Sequence, residues 1–182
     1  MKNWQSIVVV AALIAFAVPA LAQEAAIGVY FDLDATQSTA TNFGGFDVEH
    51  TAYVMATNAE QMVAGGAFKI VMDPRIIMLS AVYPPGINYG DPLGTGVEVA
   101  ITDAVVAYYG VPALLATLTL STLNNLMDNA EIQIVSHGEY AAPTISDHLG
   151  ALTEVAGDSA FLTIPVDNEA QTWGSMKALY AN

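Results

Sequence analysis

Short runs of alternating apolar and polar residues, each cut off by Gly, Pro, Asn or Asp, constrain this chain more than any other feature. In Phe46, Val48, His50, Ala52 and Val54 one side of the run is mostly apolar, while Asp47, Glu49 and Thr51 take the other. A period of two puts successive side chains on opposite faces of a strand, so one face meets a core and the other meets water. In Leu114-Leu115-Ala116-Thr117-Leu118-Thr119-Leu120 the same reading places Leu114, Ala116, Leu118 and Leu120 inward, with Leu115, Thr117 and Thr119 opposite. No run keeps a helical period through three turns. Strands are expected at 26–33, 48–57, 66–72, 77–82, 97–102, 114–122, 132–136 and 161–166. About eight or nine such strands build an all-β fold, a sandwich of two antiparallel sheets as in immunoglobulin-like domains.

The punctuation has its own chemistry. Asp73-Pro74-Arg75-Ile76 combines an Asp that can accept from the backbone ahead of it with a Pro whose fixed φ opens a type I turn. Tyr83-Pro84-Pro85-Gly86 cannot continue a strand, since two successive residues lack the backbone donor. Tyr109-Gly110-Val111-Pro112 closes another segment in the same way. Asp34 to Gly45 reads as a long exposed loop, and Ala141 to Ser159 as either one helical turn or a short extra strand.

Ahead of this lies Met1-Lys2-Asn3-Trp4, an apolar run from Ile7 to Val18, and Pro19-Ala20-Leu21-Ala22. That is the three-part pattern of a cleavable signal peptide, residues 1–22, and the apolar run is too short to span a bilayer. The expected product is secreted, extracellular or periplasmic, with one domain over 23–166 and a tail over 167–182. A short helix in that tail would set Trp173, Met176 and Tyr180 on one side, making Trp173 and Tyr180 candidate recognition residues.

Charge and composition then exclude whole classes of function. Eighteen acidic residues face four basic ones, for a net charge of −14, and Lys2 leaves with the signal. So acidic a protein repels nucleic acid and anionic membranes. The chain has no cysteine, which excludes disulfides, thiol catalysis and thiolate metal sites. A hydrophobic fraction of 54% supplies a core that needs no covalent staples.

Candidate sites are correspondingly sparse. His50, His137 and His148 lack the spacing that aims two rings at one ion. Asp32 and Asp34 lead into a loop where oxygen ligands for calcium could meet, yet the closely spaced acids and turn glycine of calcium loops are missing. Ser136-His137-Gly138 is no nucleophile elbow, and Gly44-Gly45 and Gly65-Gly66 lack the helix and Lys of a phosphate loop. No metal, no cofactor and no enzyme activity are expected. Tyr83, Tyr89, Tyr108 and Tyr109 lie near turns, where exposed rings stack on sugars or centre a protein contact.

One family carries these features together. Gly66-Ala67-Phe68-Lys69-Ile70-Val71-Met72-Asp73-Pro74, then Ile76, Ile77, Leu79, Val82 and Pro85-Gly86, resembles the cohesin-like domains of bacterial extracellular proteins. Those domains have a Gly-led alternating strand ending at Asp-Pro, a second apolar strand and a Pro-Gly turn. Val111-Pro112-Ala113-Leu114-Leu115-Ala116-Thr117-Leu118-Thr119-Leu120 looks like a later strand of the family. The resemblance runs from about Val48 to Val166; Met72 stands where the family usually has an aromatic. It implies a jelly-roll sandwich that binds another protein module or a glycan outside the cell, without catalysis. Cohesins proper bind dockerins, but no residue here matches a dockerin-binding surface one for one. Two alternatives stand beside a protein-binding module: a carbohydrate-binding module, and a self-assembling surface or filament subunit that pairs sheet edges. N-terminal sequencing of the secreted protein should begin at Gln23; a start at Met1 would contradict the cleavage site.

Overall fold

The computed structural model describes residues 24–41, 48–102, 111–123 and 128–163, so the signal segment, Tyr108, Tyr109 and the tail with Trp173 and Tyr180 lie outside the described residues. Among the described residues there are thirteen strands and no helix. β1 (Ala26–Tyr30), β3 (His50–Thr57), β5 (Ile76–Val82), β8 (Ala113–Thr122) and β12 (Ala156–Gly157) form a five-stranded sheet in the order β12-β1-β3-β8-β5. The eight-stranded sheet runs β11 (Leu152–Glu154), β10 (Thr144–Asp147), β4 (Val63–Met72), β9 (Ala130–Val135), β13 (Ser159–Thr163), β2 (Thr39–Thr41). It also takes in β7 (Gly96–Ile101), which pairs with β4, and β6 (Gly86–Asp91), which pairs with β7. The molecule is an all-β, two-sheet sandwich, as the alternation dictates.

Eight strands fall where the alternation places them, and five short ones, β2, β6, β10, β11 and β12, do not stand out in the sequence. The stretch 34–45 is not all loop, because β2 forms at its centre by parallel pairing with β13, Phe161 against Thr39. Of the two alternatives for 141–159, the strand holds and the helical turn does not: β10, β11, β12 and the start of β13 lie there. Nor is the sandwich antiparallel throughout, since β1 also pairs in parallel with β12. Strands of two or three residues contain too little alternation to be read; they are fixed by the neighbour they pair with.

Between the sheets lies one continuous core. Ile27, Val29, Ala52, Val54, Leu115, Leu118 and Leu120 meet Phe68, Ile70, Val97, Val99, Ile132, Ile134, Ile145 and Leu162, all buried. The β8 register needs a correction here. Val54 pairs with Ala116 and Met55 with Leu114, so Leu115 is an extra residue, a β-bulge. The bulge flips the strand's early phase: Leu115 is fully buried, while Leu114 is only partly so. Beyond it Leu118 and Leu120 point inward as expected.

The Asp73-Pro74 turn joins one sheet to the other. Asp73 Oδ1 accepts from the Arg75 backbone N–H at 2.9 Å, and the Ile76 N–H donates to the Asp73 carbonyl at 2.9 Å. Arg75 donates through Nε to Asp73 Oδ1 at 2.8 Å and through Nη2 to Oδ2 at 2.6 Å, and its Nη1 pairs with Asp128 ahead of β9. The Arg75 guanidinium holds the Asp73 carboxyl down at about 2. A depressed carboxylate stabilises the fold above its unfolded value of about 4 and loses that contribution as pH falls through the folded value. Arg75→Ala should therefore melt at a lower temperature than the parent at pH 7, with the gap narrowing between about pH 4 and pH 2. A gap independent of pH, in thermal melts across that range, would contradict the pairing.

Candidate functional site

β4 is paired along both edges of its first half. Gly65, Gly66 and Ala67 face Ala100, Val99 and Glu98 of β7 on one side and Ser146, Ile145 and Thr144 of β10 on the other. Side chains would obstruct this. A Cβ on Gly65 would sit 2.1 Å from the Val99 carbonyl oxygen and 2.9 Å from Ser146 Oγ. Glycine is thus required by close approach rather than by a turn.

The pairing lays out two rows across the outer face of the larger sheet. One runs Leu152, Ser146, Gly65, Ala100, Ile87; the next runs Glu154, Thr144, Ala67, Glu98, Tyr89. In both rows the central residue of β4 is small and the ends are large. The result is a shallow trough of about 200 Å³ floored by Gly66, Ala67, Val99 and Ala100. Ile87 and Tyr89 of β6 wall one side and Leu152 of β11 the other; they are 72%, 79% and 56% exposed.

Polar groups enter at the same place. Tyr140 donates its hydroxyl to Glu98 Oε1 at 3.4 Å, and its ring lies 5.9 Å from that of His137. The turn that carries Tyr140 is tied to the β6–β7 hairpin, for the Gly138 N–H donates to the Thr95 carbonyl and His137 lies against Gly96. Partial burial, and then the Glu98 charge, raise the Tyr140 phenol above its ordinary value, so it stays a donor across the physiological range. Among the described residues, Glu98 is the one carboxylate lining the trough. That arrangement can cover apolar side chains and neutralise one basic group; it does not pair two acids as glycoside hydrolysis requires.

The remaining candidates fall elsewhere. Tyr83 packs against the core rim, its phenol raised by burial and then by Asp91, while Tyr89 stands free on β6. Asp32 closes its own loop, accepting from the Thr36 N–H at 2.9 Å, the Thr36 hydroxyl and the Gln37 N–H at 2.8 Å. Those bonds, led by the Thr36 hydroxyl, lower its carboxyl value. Among the described residues no three His, Asp or Glu side chains gather as metal ligands. No described helix is long and apolar enough to cross a membrane. Ile87, Leu152, Ala67, Glu98 and Tyr140 had no signal in a linear reading; only the double pairing of Gly65-Gly66-Ala67 would have pointed to them.

No family's sequence profile matches this chain, and no curated protein does. Solved structures do. A non-cellulosomal cohesin from the hyperthermophilic archaeon Archaeoglobus fulgidus superposes with a TM-score of 0.54 at 14% identity, covering 82% of this chain and 96% of its own. The sixth cohesin of Acetivibrio cellulolyticus scaffoldin B, solved with a mutant Cel5 dockerin, gives 0.52 at 10% identity over 78% of this chain and 99% of its own. The third ScaB cohesin of R. flavefaciens, solved with a group 1 dockerin, gives 0.50 at 10% identity over 79% and 97%. The fold is cohesin-like. At these identities the likeness is one of fold, and the cohesin-like sandwich here carries its trough on the β6-β7-β4-β10-β11 face.

Within this cohesin-like frame Gly65→Val should destabilise the protein by about 3 kcal/mol, because backbone and not a flexible side chain blocks the added atoms. Chemical denaturation checks it. A variant as stable as the parent would show that β7 does not approach β4 as described.

Proposed function

We propose that the chain is a secreted, non-catalytic binding module whose trough takes a protein partner at the cell exterior. The observation that carries this is the pair of cross-strand rows, with small residues on β4 between exposed Ile87, Tyr89 and Leu152. Large apolar side chains left in water around a small-residue floor are the complement of a protruding apolar ridge. The cohesin-like fold supports the reading, since cohesins of this fold have been solved with dockerins bound.

Charge defines the partner further. Glu98 lies in the trough, Glu154 at the end of its row and Asp91 at the end of β6, on a chain of net charge −14. Of the described basic residues, Arg75 is held by Asp73 and Asp128, and Lys69 lies beyond the trough on β4. A partner with basic residues flanking its apolar ridge fits best, and its association slows as salt rises. A protein is favoured over a glycan because Tyr83 packs against the core and cannot join Tyr89 in a flat platform.

The immobilised protein should retain a secreted protein from the source organism's culture medium and no insoluble polysaccharide. Tyr89→Ala should weaken that retention about tenfold or more, and Ala67→Gln should do so by filling the floor. Retention of cellulose or chitin that Tyr89→Ala abolishes would favour the glycan reading instead. Retention indifferent to both variants would place the contact elsewhere.

A further inference from the structure

The open strand edges of the described residues are unequally protected. β2 and β11 have three residues each and β12 has two, too few to template another chain. β5 is longer, but its register slips between Met78 and Ser80, and such a bulge twists an edge away from partners. β6 has neither defence. It pairs with β7 without a break from Gly86 to Asp91, contains no Lys or Pro, and is exposed at every residue.

The β6–β7 ladder shows which backbone groups this edge leaves open. The Thr102 N–H donates to the Pro85 carbonyl at 3.1 Å, so these two residues form a hydrogen-bonded pair. Antiparallel alternation then makes Ile87 with Ala100 and Tyr89 with Glu98 the next such pairs. The N–H and C=O groups of Gly86, Asn88 and Gly90 therefore point away from β7. The glycines agree: a Cβ on Gly90, at φ +108°, would meet the Gly96 carbonyl oxygen at 2.2 Å, so the Cα and not the amide faces β7.

Gly86-Ile87-Asn88-Tyr89-Gly90 is close to a palindrome in side-chain size. Antiparallel pairing of two copies about a two-fold axis at Asn88 sets Ile87 against Tyr89 twice, Gly86 against Gly90 twice, and Asn88 against itself. The backbone groups it uses are the ones left open. Ile87 and Tyr89 share a face and are 72% and 79% exposed, so each copy supplies half of two aliphatic–aromatic cross-strand pairs. Asp91 falls opposite Pro85, so no like charges meet directly. We propose that two copies of this chain join through β6 in an antiparallel pair centred on Asn88, making one continuous sheet of their two larger sheets.

The size of the contact and the charge set its strength. Two five-residue edges bury well under the roughly 1,200 Å² of a stable interface, and each copy carries a net charge of −14. The dimer is weak, reversible and strengthened by salt, opposite in sign to the salt response of a basic partner. Ile87 and Tyr89 also wall the trough, so the dimer and the function proposed above share side chains; Asn88, which does not line the trough, is where the two can be told apart.

Sedimentation equilibrium of the purified protein, from roughly 5 μM to 1 mM, should show a mass rising toward that of two chains, more steeply at high salt. Asn88→Pro removes the central outward N–H while costing no bond to β7, and should weaken association at least tenfold with the thermal midpoint unchanged. In a chain with no cysteine, Asn88→Cys should cross-link to its own mate under mild oxidation, since residues so paired lie about 5.5 Å apart at Cα. A monomer at every concentration and salt would overturn the proposal. So would an Asn88→Pro protein that dimerises like the parent. If Asn88→Pro lowers the thermal midpoint, the cysteine variant decides, and absence of a cross-linked dimer overturns it.

Discussion

Backbone-to-backbone approach on both edges of β4 is the constraint on which the larger sheet depends. Three residues with almost no side chain, Gly65, Gly66 and Ala67, admit β7 on one flank and β10 on the other. From the next residue on, the same strand turns its large side chains, Phe68 and Ile70, into the core, and it takes β9 as its neighbour from Lys69 onward. One strand therefore anchors the sandwich with its second half and opens a trough with its first. The hydrophobic contribution is concentrated in residues such as Phe68, each fully buried side chain stabilising by about 2–3 kcal/mol. The small residues contribute by what they leave out.

Much of this was legible in the amino-acid order. β9 alternates from Ala130 to Ile134, with Ala130, Ile132 and Ile134 inward and Glu131 and Gln133 outward, because a half-buried strand leaves that imprint on its sequence. The Asp73-Pro74 turn is equally local, as its Asp bonds to the backbone two and three residues ahead. What escaped was set by partners far along the chain. The Leu115 bulge arises where β8 must match β3, and β2 exists as a strand only because β13 lies beside it.

The trough was hidden for the same reason. Leu152, Ala67 and Tyr89 become neighbours through three strand pairings, none of which leaves a short-range pattern. Tyr89 stood out as an aromatic near a turn, whereas Ile87, two residues away and on the same face, carried no signal of its own. Gly66 was readable as the head of an alternating strand, and Gly65-Gly66 as a glycine pair without a phosphate loop's helix; the crowding on two sides was not readable. Acidity was visible from composition alone, and the structure places one of those carboxylates, Glu98, inside the trough.

Amide hydrogen exchange resolved by residue tests the double pairing of β4 most directly. The amides of residues 65–67, held between two strands, should exchange only through global unfolding, alongside those of β8. If residues 65–67 instead exchange as fast as the turns around Pro92 and His148, β4 is not clamped on both edges, and the trough it floors is not a standing feature of the protein.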